Sequence, residues 1–340
     1  VVSAPLLGAT LVLAEGAPDY PDPGRQWRLI ETHGVTLCGT VPTAVRQMMR
    51  QPIEVVQRHD LTSLRATVSA GEPWNEDAWL WFFEHVCGRR IPILNYGGGT
   101  ECGGAILIGT FHRPLKPCAF GGPVPGSGAD IVDPEGRPCP PGQMGELVLR
   151  LPSIGLTRSL WRDPQRYLEN YWQKIPGVWV QGDLARRDAD GLWYMLGRSD
   201  DTLKIAGKRT GPAEIESVLL ESGLVAEAAV VGLPDPITGS ALACVCVPAA
   251  KAEDSERLRR EIAAVVATRF GAPYRPKRVL LLSALPKTRN EKIMRRIVRA
   301  VLSDTDLGDL SSLVNPAAID ELRAVAAASR DLRERHKDLD

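Results

Sequence analysis

The chain has 340 residues, 44% of them hydrophobic, so it is long enough for two domains that each bury a core. Lysine plus arginine and aspartate plus glutamate balance at 41 each, which excludes an overall basic field for nucleic acid. The seven cysteines include no C-x-x-C pair, which argues against a disulfide framework or a zinc site and favours a reducing, cytoplasmic location.

The opening segment, VVSAPLLGATLVLAEG at residues 1–16, is apolar but is interrupted by Pro5 and Gly8. It is too short to span a bilayer and has no basic leader, so neither a membrane anchor nor a signal peptide is expected. It also has no initiator Met. We interpret it as a pair of strands inside a fold, and we expect the chain to begin in the middle of a domain.

Apolar runs alternate with amphipathic stretches over residues 1–199. VTLCGT (35–40) and IPILNY (91–96) predict strands, whereas PTAVRQMMRQ (42–51) and NEDAWLWFFEHV (75–86) predict helices. From Val124 the pattern becomes β-rich, and DADG before LWYMLGR (188–198) is a hairpin signal. This region therefore predicts an α/β body with a β-rich subdomain.

A second, smaller unit is predicted to follow the acidic pair Asp200 and Asp201. Pro212 suits the first position of a helix, and Gly223 suits the residue just past its end. Strands are predicted at 226–233, 241–247 and 277–283, and a helix at 255–270. Residues 200–305 thus predict a compact α+β domain, and residues 306–340 predict a helical tail.

Lys292 has an unfavourable place in this scheme. Ile293, Ile297 and Val301 recur at intervals of four, which predicts an amphipathic helix with Lys292 in its first turn. Because the helix dipole makes this end locally positive, a cation there is mildly destabilising. We therefore expect a chemical role, since a placed cation can stabilise negative charge that develops in a transition state.

The densest motif is NYGGGTECGGAILIG, residues 95–109. Its glycines let a backbone approach a ligand closely, and the Thr100 hydroxyl and Glu101 carboxylate can then meet a phosphate and its Mg²⁺. A dinucleotide fingerprint is excluded, because Cys102 stands where a glycine is required and a strand follows. For the glycines alone, a tight turn with a satisfied acid is the simpler interpretation.

A second cluster extends from Gly177 to Arg209. Asp183 follows a short predicted strand, where its carboxylate can accept two hydrogen bonds from a ribose diol. Arg198 ends the next strand and faces the Asp200 junction. Each residue alone is typical of a surface ion pair.

Taken in order, GGGTE, GD…DADG, GRSDDTLKIAGKR…PAEIES and LPKTRNEKIMRR resemble the motifs of the adenylate-forming (AMP-binding) superfamily. That superfamily contains acyl-CoA synthetases, luciferases and the adenylation domains of peptide synthetases. SAGEPWNEDAW and DLSSLVNPAAIDEL are similar to the acetyl-CoA synthetase branch. The resemblance implies the C-terminal part of a large N-domain at 1–199, a mobile C-terminal domain at 200–305 and a helical tail at 306–340.

The resemblance also implies nucleotide contacts. The adenine would be bordered by Gly71, Glu72, Pro73 and Tyr96. The ribose would be held by Asp183 and Arg198, and the AMP phosphate by Thr100 and Arg209.

For catalysis, the resemblance makes Lys292 the catalytic lysine and Glu101 the Mg²⁺ ligand. Asp200 would be the hinge of the small domain, and Gly207 would line the pantetheine tunnel of CoA. Gly98 and Ala70 would border the acyl pocket.

The stretch from Arg269 to Arg299 holds ten lysines and arginines, with Glu291 as its one acid. Only Phe270 and Tyr274 could stack on bases, so a nucleic-acid interface is not favoured. Four of the cations are assigned to the polar face of the Lys292 helix. Binding of the CoA phosphates is the preferred interpretation.

Three departures from the family pattern stand out. The phosphate loop that holds the β- and γ-phosphates is absent, so we expect an N-terminally truncated chain that uses ATP poorly. Asn290 and Glu291 replace the usual small residues before the lysine. Gly98 and Gly97 replace the tryptophan that closes an acetate pocket and the aromatic that stacks on adenine, with Tyr96 one position away, so acids longer than acetate are expected to fit.

The predicted function is that of an AMP-forming acyl-CoA synthetase. It would join a short-chain carboxylate to ATP with Mg²⁺, release pyrophosphate, and pass the acyl group to CoA after rotation of the small domain. No nucleic-acid or membrane partner is expected. Adenylation for a carrier protein and a noncatalytic nucleotide-binding fragment remain as alternatives, and Gly207 with the basic stretch favours CoA over a carrier.

Overall fold

The computed structural model describes residues 3–205, 208–235, 239–249, 255–289 and 291–337, and its elements are numbered here in chain order. The first sheet has the order β1-β2-β3-β4-β5, with β1 to β3 parallel and the last two strands antiparallel. Its strands are β1 (Leu37–Thr40), β2 (Ala66–Ser69), β3 (Ile93–Gly99), β4 (Gly104–Ile108) and β5 (Gly122–Pro123). The predicted strands at 35–40 and 91–96 are confirmed.

Four helices accompany this sheet: α2 (Arg25–His33), α3 (Pro42–Met48), α4 (Glu54–Gln57) and α5 (Glu76–His85). Trp27, Val45 and Phe82 are buried together in the core that these helices share with β3. The alternation of apolar strands and amphipathic helices therefore predicted this part of the fold correctly.

The β-rich subdomain is a four-stranded antiparallel sheet in the order β6-β7-β8-β9. Its elements are β6 (Ala129–Val132), β7 (Gly145–Leu149), α6 (Pro164–Tyr171), β8 (Trp179–Arg187) and β9 (Trp193–Arg198). Tyr171 of α6 stacks on Trp179 with ring centroids 4.4 Å apart, which seals one face. The predicted hairpin at DADG joins β8 to β9, as expected.

The small unit is a three-stranded sheet, β12-β13-β14, beside a two-stranded ribbon, β10-β11. In chain order it contains β10 (Leu203–Ile205), β11 (Lys208–Thr210), α7 (Pro212–Glu221), β12 (Val225–Asp235), β13 (Gly239–Pro248), α8 (Glu256–Phe270), β14 (Arg278–Leu281), α9 (Arg295–Ser303) and α10 (Ala317–Lys337). Alternate side chains of β12 enter two cores, Val230 on the face toward α7 and α8 and Val231 on the face toward α9 and α10.

The helix α7 begins and ends where its sequence signals predict. Pro212 is at its first position after Gly211, and Gly223, with a φ of 70°, lies just past its end. Cys244 and Cys246 of β13 are fully buried, as expected for core residues. Within the described ranges, no helix has both the length and the hydropathy needed to cross a membrane.

The prediction of a strand pair at the start of the chain is wrong. The segment contains α1 (Ser3–Leu6), a single helical turn, and no strand precedes β1 among the described residues. Leu6, Leu7 and Leu13 are 78%, 84% and 78% exposed. A strand needs a neighbour to accept its backbone hydrogen bonds, and apolar side chains alone do not provide one.

The prediction that Lys292 lies in the first turn of a helix is also wrong. The helix α9 begins at Arg295, and Lys292 lies before it in a turn whose two arms pair through Lys287 and Ile293. The Met294 N–H donates to the Pro286 carbonyl at 2.9 Å. These hydrogen bonds hold residues 292–294 in an extended conformation. The apolar stripe therefore begins before the first residue of the helix.

The tail is helical only from Ala317 onward. Before that, the chain turns back onto the Lys292 turn, where the Val314 N–H donates to the Lys287 carbonyl at 3.0 Å. The Asn315 side chain accepts from the Lys287 N–H and donates to the Leu285 carbonyl. The segment before α10 therefore supports the turn that holds Lys292.

Candidate functional site

Asp183 lies at the centre of a charged cluster between the two units. It occupies the middle of β8, rather than following a strand as predicted, and is directly opposite Arg198 of β9. Its side chain is buried, and the Arg198 Nη1 is 3.7 Å from Oδ1, too far for a hydrogen bond. Burial raises the pKa of Asp183 to about 6, although the charges of Arg198 and Lys292 lower it.

Gly182 permits this arrangement. Its φ of 83° lies in the left-handed region, and a Cβ there would lie 2.7 Å from the Arg198 Nη2. Glycine therefore both forms the kink in β8 and lets the guanidinium lie across the strand.

The junction of the two units is tied by charged contacts. The Arg198 Nε is 3.2 Å from Asp200 Oδ1, and Arg299 of α9 pairs with Asp201 at 2.8 Å. The Ser199 hydroxyl donates to Glu146 at 2.8 Å. The Arg198–Asp200 pair lies at the predicted hinge itself, whereas the Ser199 contact lies within the first unit and the Arg299 contact within the small unit.

Glu101 joins the cluster from the turn that follows β3. Its Oε1 accepts a hydrogen bond from Gln181 Nε2 at 2.9 Å, and its negative charge helps to raise the pKa of Asp183. Thr100 is exposed at the start of the same turn. Sequence reasoning missed Gln181, which is 2% exposed; its position two residues before Asp183 was the available signal.

Lys292 reaches the cluster from the small unit, close enough for its charge to lower the pKa of Asp183. Its turn is closed by the Thr288 N–H, which donates to the Lys292 carbonyl at 3.0 Å. Glu291, which stands next to Lys292 where the family pattern has a small residue, pairs with Lys287 at 3.2 Å.

A cavity of about 120 Å³ opens where the first unit meets α7. It is lined by the predicted residues Ala70, Glu72, Pro73 and Tyr96 and by residues that the sequence did not single out, among them Ser69, Asn95 and Glu214. Ser69 ends β2, and its partner Asn95 is the last residue of β3 that pairs with β2. The carboxyl ends of parallel strands are common ligand sites.

Three residues that line this cavity have a buried polar atom with no protein partner among the described residues: the Ser69 hydroxyl, the Trp74 Nε1 and the Asn95 Oδ1. The Asn95 Nδ2 donates to the Ala119 carbonyl at 2.8 Å, which fixes Oδ1 as an acceptor. Buried polar atoms are nearly always paired, so such a group of atoms indicates a polar ligand or ordered water.

Glu72 has a structural contact as well as its place in the cavity wall. It accepts from the Thr43 N–H at 2.7 Å at the start of α3, and from Arg46 at 3.0 Å. Gly71, with a φ of 98°, makes the turn that directs it there.

The acyl-pocket residues are separated. Ala70 lines the cavity, but Gly98 does not, and a Cβ at Gly98 would overlap the carbonyl oxygen of Gly104. A side chain at Gly97 would meet Met195 and Phe120. Gly207 and the side chain of Arg209 lie outside the described part of the chain.

At least four of the ten cations in the basic stretch near Lys292 are neutralised. Lys277, Lys287, Arg295 and Arg299 all form ion pairs, with Asp235, Glu227, Glu216 and Asp201 respectively. Arg295 and Arg299 were assigned to an open polar helix face, and the structure places both in contacts that hold the small unit together.

The donor set fits Mg²⁺ only with help from a ligand. No group of three histidines, cysteines or carboxylates converges among the described residues. Mg²⁺ commonly takes one or two carboxylates and completes its shell with phosphate oxygens and water. Gln181 occupies Glu101 Oε1, which leaves Oε2 for such a cation.

Comparison with known proteins identifies the family. Residues 1–161 match the family model of the AMP-binding enzymes, and residues 214–292 match that of the AMP-binding enzyme C-terminal domain. The acetyl-coenzyme A synthetase of Pyrobaculum aerophilum is 41% identical over 327 residues, covering 95% of this chain and 49% of the relative. That of Rubrobacter xylanophilus is 41% identical over 97% of this chain and 52% of its own.

Solved structures give the same picture. Acetoacetyl-CoA synthetase from Streptomyces lividans matches with a TM-score of 0.84 and 25% identity, over 95% of this chain and 50% of that one. The anthranilate CoA ligase AuaEII, in complex with anthranoyl-AMP, matches with a TM-score of 0.73 and 29% identity, over 87% and 55%. The chain spans about half the length of the curated relatives that it matches.

Proposed function

Because the chain belongs to the AMP-binding enzyme family, we propose that it provides the AMP-binding and thioester-forming parts of an AMP-forming acid–thiol ligase of the acetyl-CoA synthetase type. The observation that carries this proposal is the convergence of Glu101, Arg198 and Lys292 on the buried carboxylate of Asp183. In such a ligase a short-chain carboxylate displaces pyrophosphate from ATP to give acyl-AMP, and the CoA thiolate then displaces AMP.

The nucleotide would lie across the cavity and the charged cluster. The adenine would occupy the cavity, where Asn95 Oδ1 accepts a hydrogen bond from its exocyclic amine. The Asp183 carboxylate would accept hydrogen bonds from the ribose hydroxyls, because it has the burial and the unused acceptors for them. The AMP phosphate would then lie toward Thr100.

Glu101 would hold Mg²⁺ through its free oxygen. When bound, the cation supplies positive charge that neutralises the phosphate oxygens. Gln181 fixes the carboxylate of Glu101 from the buried side.

Lys292 would stabilise negative charge at the carboxylate and α-phosphate during adenylation. Pairing of Glu291 with Lys287 leaves the Lys292 ammonium available for this role. Arg209 at the phosphate, Gly207 at the CoA tunnel and Asp200 as the hinge stay predictions, as does the preference for acids longer than acetate.

The test uses the 340-residue chain with AMP, and then with synthetic acetyl-AMP and CoA. AMP binding is measured by calorimetry and thioester formation by its ultraviolet absorbance. We expect AMP binding that weakens about 10- to 100-fold in Asp183→Asn, because a hydrogen bond to a charged group is lost.

The two readouts separate the outcomes. A chain that melts cooperatively but does not bind AMP would overturn the AMP site. A chain that binds AMP but forms no thioester from acetyl-AMP and CoA would overturn the ligase proposal in favour of a noncatalytic nucleotide-binding role.

A further inference from the structure

We propose that Glu214, on helix α7 of the small unit, determines nucleobase specificity together with Asn95 of the first unit. The assignment rests on the AMP site proposed above and adds a contact from the small unit. Glu214 and Asn95 line the same cavity, one from each unit.

Two of the three glutamates of α7, Glu214 and Glu216, have different surroundings. Glu216 is 5% exposed and its carboxylate is fully engaged, since it accepts from the Val230 N–H at 2.8 Å and from two nitrogens of Arg295. The Glu214 carboxylate forms no hydrogen bond or ion pair with any residue that the structure describes, although Glu214 is only partly exposed. Burial raises the pKa of Glu214, with Arg186 opposing the change.

Helix geometry explains this difference. Positions two apart on a helix point to nearly opposite sides, whereas positions three apart share a face. Ser217, three residues after Glu214, accordingly lines the same cavity. The cavity-facing side of α7 therefore presents an acceptor that the protein itself does not use.

Two acceptors that line one cavity, each from a different unit, match an exocyclic amine. The amine of adenine has two N–H donors, so Asn95 Oδ1 can accept one and the Glu214 carboxylate the other. Hypoxanthine and guanine carry a carbonyl oxygen at that position. It would face both acceptors without a proton, and a site built this way rejects the wrong analogue because its buried groups lose their partners.

The proposed Glu214 contact also links AMP binding to the orientation of the small unit. Because the two acceptors belong to different units, one amine that bridges them favours the present orientation of the small unit. By reciprocity, an orientation that withdraws Glu214 weakens nucleotide binding by the same factor.

The experiment compares AMP and IMP binding to the 340-residue chain by calorimetry. In Glu214→Gln the amide can donate to the IMP carbonyl and keeps the side-chain size. We expect AMP to bind about 10-fold more weakly and the AMP/IMP affinity ratio to fall about 100-fold. Glu214→Ala removes the acceptor that would face the IMP carbonyl, so AMP should bind more weakly and IMP more tightly.

Glu221→Gln is the matched control, since it removes a carboxylate from the same helix at a position outside the cavity. It should leave the ratio unchanged, and melting curves verify that all variants fold. An unchanged ratio in a folded Glu214→Gln chain that still binds AMP would overturn the Glu214 assignment alone. Failure of the unaltered chain to bind AMP would overturn the AMP site and this assignment with it.

Discussion

Two buried carboxylates, Asp183 and Glu216, each lie beside an arginine, but only Glu216 is hydrogen-bonded to its arginine. Glu216 accepts from the Arg295 Nε at 2.6 Å, from a second nitrogen of the same guanidinium and from a backbone N–H. Asp183 is 3.7 Å from Arg198, and burial raises its pKa to about 6. A complete set of partners is typical of a structural ion pair, whereas an incomplete set leaves acceptors for a ligand at a cost in stability.

The largest change in stability is expected for Arg295→Met. It leaves the Glu216 carboxylate buried with one N–H as its partner, so we expect a loss of about 3–5 kcal/mol in the free energy of unfolding. Urea denaturation measures the loss. A change below about 1 kcal/mol would mean that Glu216 is not held by this pair.

The double variant Glu216→Leu/Arg295→Met is the control for that experiment. Removing both charges removes the penalty of an unpaired one, so the double variant should be more stable than Arg295→Met. The free energy of unfolding should not recover fully, because the N–H of Val230, in the edge strand β12, loses its acceptor.

For Asp183, removing the charge should raise the free energy of unfolding and not lower it. Its folded pKa of about 6 exceeds the ordinary value of 3.8, so the protonated form is favoured by folding. The stability it contributes is full below pH 3.8 and is lost as the pH rises through about 6. Asp183→Asn cannot ionise, so at pH 7 it should be more stable than the unaltered chain by on the order of 3 kcal/mol.

The measurement is the difference between the two unfolding free energies from pH 4 to pH 7.5. The difference should vanish toward pH 4, and the same variant should lose AMP affinity. A difference that does not change with pH would show that the gain comes from packing and not from the buried charge.

The smallest expected effect concerns Glu291, whose carboxylate pairs with Lys287 and whose backbone is strained. Its φ of 59° is left-handed, which costs a residue with a Cβ about 1 kcal/mol relative to glycine. Glu291→Ala and Glu291→Gly both lose the ion pair, but only glycine relieves the strain.

We therefore expect Glu291→Gly to be about 1 kcal/mol more stable than Glu291→Ala. Chemical denaturation of the two variants measures this difference. Equal stability would indicate that the turn relaxes to another conformation when the carboxylate is removed.

Much of the fold follows from local sequence signals. The alternation over residues 35–96, the hairpin before β9, and Pro212 and Gly223 at the ends of α7 all predict elements that the structure contains. These signals work because they act within a few residues, through backbone dihedral preferences and side-chain periodicity.

The failures lie where distant segments compete with a local pattern. The apolar stripe around Ile293 predicted a helix that includes Lys292, but pairing with Lys287 and Pro286 keeps those residues extended. The apolar opening segment predicted strands, but in the described chain no neighbouring strand pairs with it.

The candidate site divides in the same way. Motif residues such as Glu101, Asp183 and Lys292 were found from the sequence because their residue types and spacing carry a family pattern. Gln181 and Glu214 were not singled out, although Glu214 lies within the PAEIES motif, because the role of each depends on its neighbours in the fold.

The sequence by itself determined the family, most of the elements and the candidate site residues of the family motifs, because those depend on residue type and local spacing. Only the tertiary structure decided which charges are matched. It pairs Glu216 with Arg295 across 79 positions, leaves Asp183 and Asn95 with unused acceptors, and turns Glu291 toward Lys287 and away from Lys292. The physical reason is that the free energy of a buried charge depends on partners within a few ångströms, and their position is set by packing rather than by distance along the chain.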